Sequence, residues 1–298
     1  MNLLVNTSVG SKIFENLYAV LGTAFFLGGK HLKKALSIAG SDCSGGAGIQ
    51  ADLKTFAAHG VFGMTVITSV VAENTFRVTD YQDIRPDIIM KQIDDVFVDI
   101  PPDAVKIGML SCKDTMIAVA EKIKEWKPKN VIVDPVMYAK NGCALMDPSA
   151  IDTLIAQVVS LADVITPNIP EAEKMTSMEI RTLGDMRQAA RLIHAMGCRA
   201  VVVKGGHGEG DAKDILYDGE TFFEFSSPRI ETQHTHGTGC TLSSAIAANL
   251  ALGNPIDKAV EIAKQYITTA IANAPKFGKG NGPLHHFYKM YKSYFGEE

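Results

Sequence analysis

One stretch of this chain has the composition of a reactive turn: Gln233-His234-Thr235-His236-Gly237-Thr238-Gly239-Cys240-Thr241-Leu242. Two glycines flank Thr238, Cys240 follows, and an Ala- and Leu-rich run continues without a breaker until Gly253. That order reads as a tight turn opening into a helix over residues 242–252. The first N–H groups of a helix have no partner inside it, so glycines that let a ligand approach make an anion site there, and a phosphoryl group is the anion that best fits. Cys240 falls in the first turn, where the helix dipole is expected to lower the thiol pKa and favour thiolate. Taken alone, these residues fit a capped helix start with an inert buried cysteine better. The decision rests on what accompanies them.

Further polar residues recur where apolar runs end: Ser41-Asp42, Glu73-Asn74, Asp134, Asn168 with Glu171, and Lys204-Gly205-Gly206-His207, with Met109 at a similar place. Each alone is an ordinary loop residue or cap. Together they gain meaning if the fold brings them to one edge. Gly45-Gly46-Ala47-Gly48 does not meet the dinucleotide spacing G-x-G-x-x-G, and no Walker A sequence occurs.

The elements that must position these residues follow from apolar periodicity. Strands are expected over residues 34–39, 64–71, 104–107, 131–133, 164–166 and 200–204, and an extended stretch over 78–84. Helices are expected over 49–59, from Pro86 to 98, and over 113–126, 148–159, 183–196, 242–252 and 256–273. Asp218-Gly219 between two apolar stretches signals a hairpin. Strands alternating with helices of this length give an α/β fold, a mostly parallel central sheet with helices on both faces. Ligands of such sheets bind beyond the carboxyl ends of the strands, where the polar residues above fall.

Composition narrows the function. With 298 residues, 46% hydrophobic and 21% charged, the chain is an ordinary globular one, and its net charge of -4 offers no basic stripe for nucleic acid. Five cysteines without a C-x-x-C pair argue against a disulfide framework and for a reducing compartment, and no zinc spacing is present. The neighbours His285 and His286 cannot share one helical face. Residues 1–30 stand apart as an appended segment: an upstream start, an anchor or a docking helix. Their apolar run 17–28 is too short to span a bilayer; with Lys12 before it and small residues after it the segment faintly resembles a signal peptide, but Glu15 interrupts that pattern ahead of the run and no A-x-A site follows. Residues 31–298 are expected to form a single domain, cytoplasmic, with membrane binding disfavoured.

Several motifs in order now carry a resemblance: Ala39-Gly-Ser-Asp-Cys-Ser-Gly-Gly-Ala-Gly-Ile-Gln-Ala-Asp-Leu-Lys54, Val71-Ala-Glu-Asn-Thr75, Lys106-Ile-Gly-Met-Leu110, Asp134-Pro-Val-Met137, Thr166-Pro-Asn168, Val203-Lys-Gly-Gly-His207 and Thr235-His-Gly-Thr-Gly-Cys-Thr241. From about Lys34 onward the chain resembles the hydroxymethylpyrimidine/phosphomethylpyrimidine kinases of thiamine biosynthesis, members of the ribokinase-like superfamily. The resemblance implies a ribokinase-like fold and an ATP- and Mg²⁺-dependent phosphotransferase acting on a small pyrimidine, with a homodimer as the family's suggestion. It implies an anion hole at Gly237, Thr238 and Gly239 and a catalytic base at Cys240, where the wider superfamily has an aspartate. ATP would meet Lys204, Asn168 and Thr238, and Mg²⁺ would be held by Asp134 and Glu171 through water. A flat aminopyrimidine would lie between Ala47, Met109 and Val136 and be read by Glu73, with Asp52 as a second polar contact.

Two alternatives stay open. Pyridoxal kinases are near relatives, some with a lid cysteine after the Asp-Pro-Val-Met motif; this chain has Ala139 there, and Cys143 falls further along. A non-catalytic binding protein on the same fold is the other. Binding alone needs no proton acceptor, so the joint presence of Lys204, Asp134, Glu171 and Cys240 argues against it.

Overall fold

The strand β1 (Lys34–Asp42) sits in the middle of the molecule because both of its faces are apolar: Leu36 and Ile38 point into one core and Ala35 into the other. The computed structural model describes residues 31–138, 142, 144–206 and 210–296. The expectations for residues 1–30, Ala139, Cys143 and His207 lie outside the described residues. Lys33–Glu298 form one compact unit.

Eight further strands flank β1: β2 (Phe62–Asn74), β3 (Arg77–Asp83), β4 (Ala104–Ile107), β5 (Val131–Val133), β6 (Val164–Ile165), β7 (Val201–Lys204), β8 (Ala212–Tyr217) and β9 (Phe222–Ser227). The sheet order is β3-β2-β1-β4-β5-β6-β7-β8-β9. The six strands from β2 to β7 pair in parallel, and antiparallel hairpins close both ends. The β8–β9 turn is the expected one, with the Asp218 carboxylate accepting from the Glu220 and Thr221 amides at 2.9 and 2.7 Å.

One face of the sheet packs on α1 (Gly48–Ala58), α6 (Thr238–Ala251) and α7 (Ile256–Ala272); the other packs on α2 (Pro86–Asp99), α3 (Lys113–Trp126), residues 148–161 and α5 (Leu183–His194). The helix α4 (Ile169–Thr176) follows β6, and α8 (Tyr288–Phe295) ends the fold. In α6 every residue from Thr241 to Ala251 is buried. Its alanines 245, 247, 248 and 251 meet Ala35, Ala104 and Ala200 of the sheet, so small side chains on both partners let the helix lie close to the strands.

Three expectations are corrected. Helix α6 starts at Thr238 rather than at Leu242, because the glycine turn is itself the helix cap. Residues 148–161 form an irregular run of 3₁₀, α and π turns rather than one helix. In this run Leu154, Val158 and Val159 all reach the core. The short helix α4 was not anticipated, although Asn168 with Glu171 three residues on spells a capping box.

Candidate active site

The carboxyl ends of the parallel strands open into one cleft of about 770 Å³, a size that suits a small-molecule ligand. Gly40 to Asp42, Glu73, Met109, Asp134, Asn168, Glu171, Lys204 and the segments Glu231 to Gln233 and Thr235 to Cys240 all line it. The rim expected from the strand ends is thus present as one surface.

At the centre stands the start of α6. Its N-cap is Gly237, with φ of 79° and no side-chain cap hydrogen bond. A Cβ there would collide with the Gly46 carbonyl oxygen, so only glycine allows the two glycine-rich loops to touch. Gly239 faces the charged groups: a Cβ would come 3.2 Å from Asp134 Oδ2 and 3.4 Å from Lys204 Nζ. The Thr238 hydroxyl donates to the Thr235 carbonyl at 2.7 Å. Among the described residues no protein acceptor meets the amides of Gly239 and Cys240. Unpaired amides at a helix N-terminus attract an anion.

On one side lies a charged group built from three strand ends. Lys204 Nζ is 2.8 Å from Asp134 Oδ1 and 3.9 Å from Glu171 Oε2. Thr166 Oγ1 donates to Asp134 Oδ1 at 3.1 Å, and the Asn168 amide donates to Glu171 Oε2 at 2.8 Å. Burial would raise the Asp134 pKa, but Lys204 and Lys106 outweigh it and hold the carboxyl below its ordinary value. Burial dominates at Glu171 and pushes it up to about 7 against the pull of Lys204. Two carboxylates share one ammonium, and all their donors are hard oxygens. A hydrated Mg²⁺ fits such a set, since it prefers oxygen and keeps part of its water.

The same cleft is lined by the apolar Ala47, Met109 and Val136 and by Glu73. Glu73 sits at a register shift between β2 and β3, and such a bulge re-aims the side chain. Asp42 accepts from the Ser44, Gly46 and Ala47 amides at 2.7, 3.0 and 2.7 Å, and its Oδ2 lies 2.8 Å from His236 Nε2. One carboxylate therefore ties the first glycine-rich loop to the loop before α6. Donor atoms of Asp42, Glu73 and His236 lie within 4.8 Å of one another. Burial and the Asp42 charge push Glu73 up to about 7. His236 is raised: burial opposes its charge, and Asp42 more than compensates.

Two expectations fail on this geometry. Asp52 does not line the cleft: its side chain is fully buried, and its oxygens accept from Ser37 Oγ at 2.5 Å, Lys106 Nζ at 2.9 Å and Ser244 Oγ at 2.6 Å. It is an internal partner, not a substrate contact. Cys240 lines the cleft, but burial pushes its thiol up to about 11, against the lowering expected from the helix start. Sequence reasoning expects Asp42 at the rim but gives it no role, and it does not single out His236 or Lys106. All three lie inside the motifs quoted above, but what marks them is pairing across the chain.

The comparisons with known proteins agree with this geometry. The profile of the phosphomethylpyrimidine kinase family matches residues 42–285. The chain is 49% identical to the thiamine biosynthesis bifunctional protein ThiED of Geobacter sulfurreducens over 84% of its length, spanning 51% of that longer protein. It is also 49% identical to the hydroxymethylpyrimidine/phosphomethylpyrimidine kinase of Rhizobium meliloti, over 87% of this chain and 98% of the relative. A crystal structure of the Bacillus subtilis pyridoxal kinase with ADP superposes with a TM-score of 0.82 at 42% identity, covering 87% of this chain and 99% of that one. A cleft at the strand ends with an uncapped glycine helix start, together with matches of this extent, places the chain in the phosphomethylpyrimidine kinase family, on the ribokinase-like fold.

Proposed function

We propose that this chain transfers the γ-phosphoryl group of ATP to the hydroxymethyl group of 4-amino-5-hydroxymethyl-2-methylpyrimidine and then to the resulting monophosphate. The observation that carries this reading is that one cleft gathers apolar walls with Glu73, open amides beside Cys240, and Lys204 between two carboxylates. In this reading the flat ring lies against Ala47, Met109 and Val136, and Glu73 reads its exocyclic amine and ring nitrogen. Cys240, as thiolate, takes the hydroxymethyl proton; the freed oxygen attacks the γ-phosphorus; the bond to the β–γ bridging oxygen breaks and ADP leaves with the electron pair. The amides of the Gly237–Thr238–Gly239 turn and of Cys240 stabilise charge on the phosphoryl oxygens, and Lys204 meets the nucleotide phosphates. Asn168 and Thr238 complete the ATP site. Asp134 and Glu171 would hold Mg²⁺, which would supply charge neutralisation on the phosphates. The similar Bacillus subtilis enzyme is an ADP complex, which supports a nucleotide as one substrate.

An assay panel with ATP and three acceptors, the pyrimidine, its monophosphate and pyridoxal, tests the proposal. Turnover of both pyrimidines above pyridoxal is expected; pyridoxal preference overturns it. The second reading, a pyridoxal kinase, is favoured by the superposition on the Bacillus subtilis enzyme, and the same panel decides it. Asp134→Asn and Glu171→Gln are expected to lose activity that partly returns at high Mg²⁺; an unchanged metal dependence removes them from the metal site.

The proposal includes a cytoplasmic setting and a homodimer. No described helix is long and apolar enough to cross a membrane. It also includes a catalytic domain that begins after residue 30. Deleting residues 1–30 is expected to leave kcat and KM unchanged.

A further inference from the structure

The assignment of Cys240 as proton acceptor requires a positive group close to a half-buried thiol, and the molecule holds one that the proposed reaction does not yet use. Lys106, on β4 opposite Ser37 of β1, has no exposed surface. Its ammonium carries three N–H donors, and Asp52 Oδ2 at 2.9 Å is the acceptor it meets among the described residues. Asp52 is in turn fixed by Ser37 at 2.5 Å and by Ser244 at 2.6 Å. Ser244 is one helical turn from Cys240 on α6, so the pair is anchored to the helix that carries the thiol. Gly108 keeps the space clear: a Cβ there would lie 2.6 Å from Lys106 Nζ and 3.0 Å from Ala39 Cβ.

We propose that Lys106 and Asp52 are positioning residues for the proton transfer: the ammonium locked beneath the first turn of α6 stabilises a thiolate at Cys240, and Asp52 holds and limits that charge. This rests on Cys240 being the base. The charges that act on the thiol are Lys106 from β4, Asp52 from α1, Asp134 after β5 and Lys204 at the end of β7, with the Gly48 amide at the start of α1. Lys204 is already shared by Asp134 and Glu171. Lys106 meets one carboxylate, Asp52, among the described residues, and acts on the thiol beside Lys204. Burial is the largest influence raising Cys240, Lys106 is the leading one lowering it, and Asp52 works the other way.

The opposite signs give the test. The pH dependence of Cys240 alkylation by iodoacetamide is followed by mass spectrometry on the peptide that carries it, in the full-length enzyme. Lys106→Met is expected to move the midpoint up by about one pH unit or more, and to lower kcat about tenfold or more at neutral pH, with the pyrimidine KM within roughly twofold. Asp52→Asn is expected to move the midpoint down. Midpoints that stay in place, or move together, overturn the proposal and leave the pair a structural one. Should Lys106→Met not fold, Asp52→Asn alone decides: a midpoint that falls supports the proposal, and one that stays or rises overturns it. Because alkylation is read without turnover, this outcome is separate from the assignment of Cys240 as base, which fails only if Cys240→Ser keeps its activity.

Discussion

Helices α5 and α6 begin on opposite sides of the sheet and solve the same problem differently. In α5 the Thr182 hydroxyl accepts from the Asp185 amide at 3.1 Å, while the Asp185 carboxylate accepts from the Thr182 amide at 2.8 Å. Every first-turn group involved has an internal partner. In α6 the N-cap is glycine, no side chain caps, and the third helical position, held by Asp185 in α5, is held by Cys240. The exposed Asp185 is pulled below its ordinary pKa by the amides and hydroxyl it accepts from, whereas burial pushes Cys240 up. Glu171 occupies the same position in α4 and also reaches a backbone amide, yet burial raises it to about 7. Position at a helix start does not set the sign of a pKa shift; depth does, when the two compete.

That contrast can be broken most directly at Cys240. Cys240→Ser is expected to lower kcat about 10²-fold or more while pyrimidine binding changes far less, measured by steady-state kinetics and titration. Near wild-type turnover would return the residue to the role of a packed thiol.

Closing the glycine turn is the next largest change. Gly237→Ala must place a Cβ at φ 79° against the Gly46 carbonyl. A loss of about 1–3 kcal/mol in stability is expected from the backbone alone, visible in thermal melts, together with a fall in kcat. An alanine variant with unchanged melting and turnover would show that the two loops move apart freely.

Glu73 sharpens the rule that depth sets the sign. Its pKa is raised from 4.5 to about 7, so the folded state holds a proton that the unfolded chain gives up earlier. Stability is therefore lost as pH rises from about 4.5 to about 7. Glu73→Gln removes that loss, and the variant is expected to melt above wild type at pH 8 and together with it near pH 4.5. A variant that melts lower at pH 8 would mean the charged carboxylate is stabilised in the fold.

The smallest effect belongs to α5. Thr182→Ala removes a cap and is expected to cost about 1 kcal/mol in a denaturant titration, with kcat and KM unchanged. An effect on kcat would mean that the capped helix start, too, serves the reaction.

How much of this was legible in the sequence follows from the range of each interaction. Strands 104–107 and 131–133 and the helix over 113–126 stand where their periodicity put them, because local apolar pattern and sheet burial agree there. The rim residues were legible as a set, since an α/β sheet sends all its strand ends one way. The role of Asp52 was not: the resemblance implied a second polar contact to the substrate, whereas its side chain is fully buried within the fold. Its partners Ser37, Lys106 and Ser244 come from three other elements. The Asp42–His236 contact spans 194 positions, and no local signal encodes such a pairing.

Those same separations have a consequence for the birth of the protein. Synthesis proceeds from the N-terminus at about 5–20 residues per second, so roughly 10–40 s pass between the emergence of Asp42 and that of His236. β1 can pair with β2 and then β4 early, and Lys106 reaches Asp52 after only 54 further residues. The helix that covers this face of the sheet, and brings Ser244 and Cys240, is among the last elements made. A nascent chain therefore carries half of its reaction centre, with Ala35, Ala104 and Ile132 waiting for α6. The chain cannot turn over substrate during that interval, and its open apolar face is what a chaperone would meet.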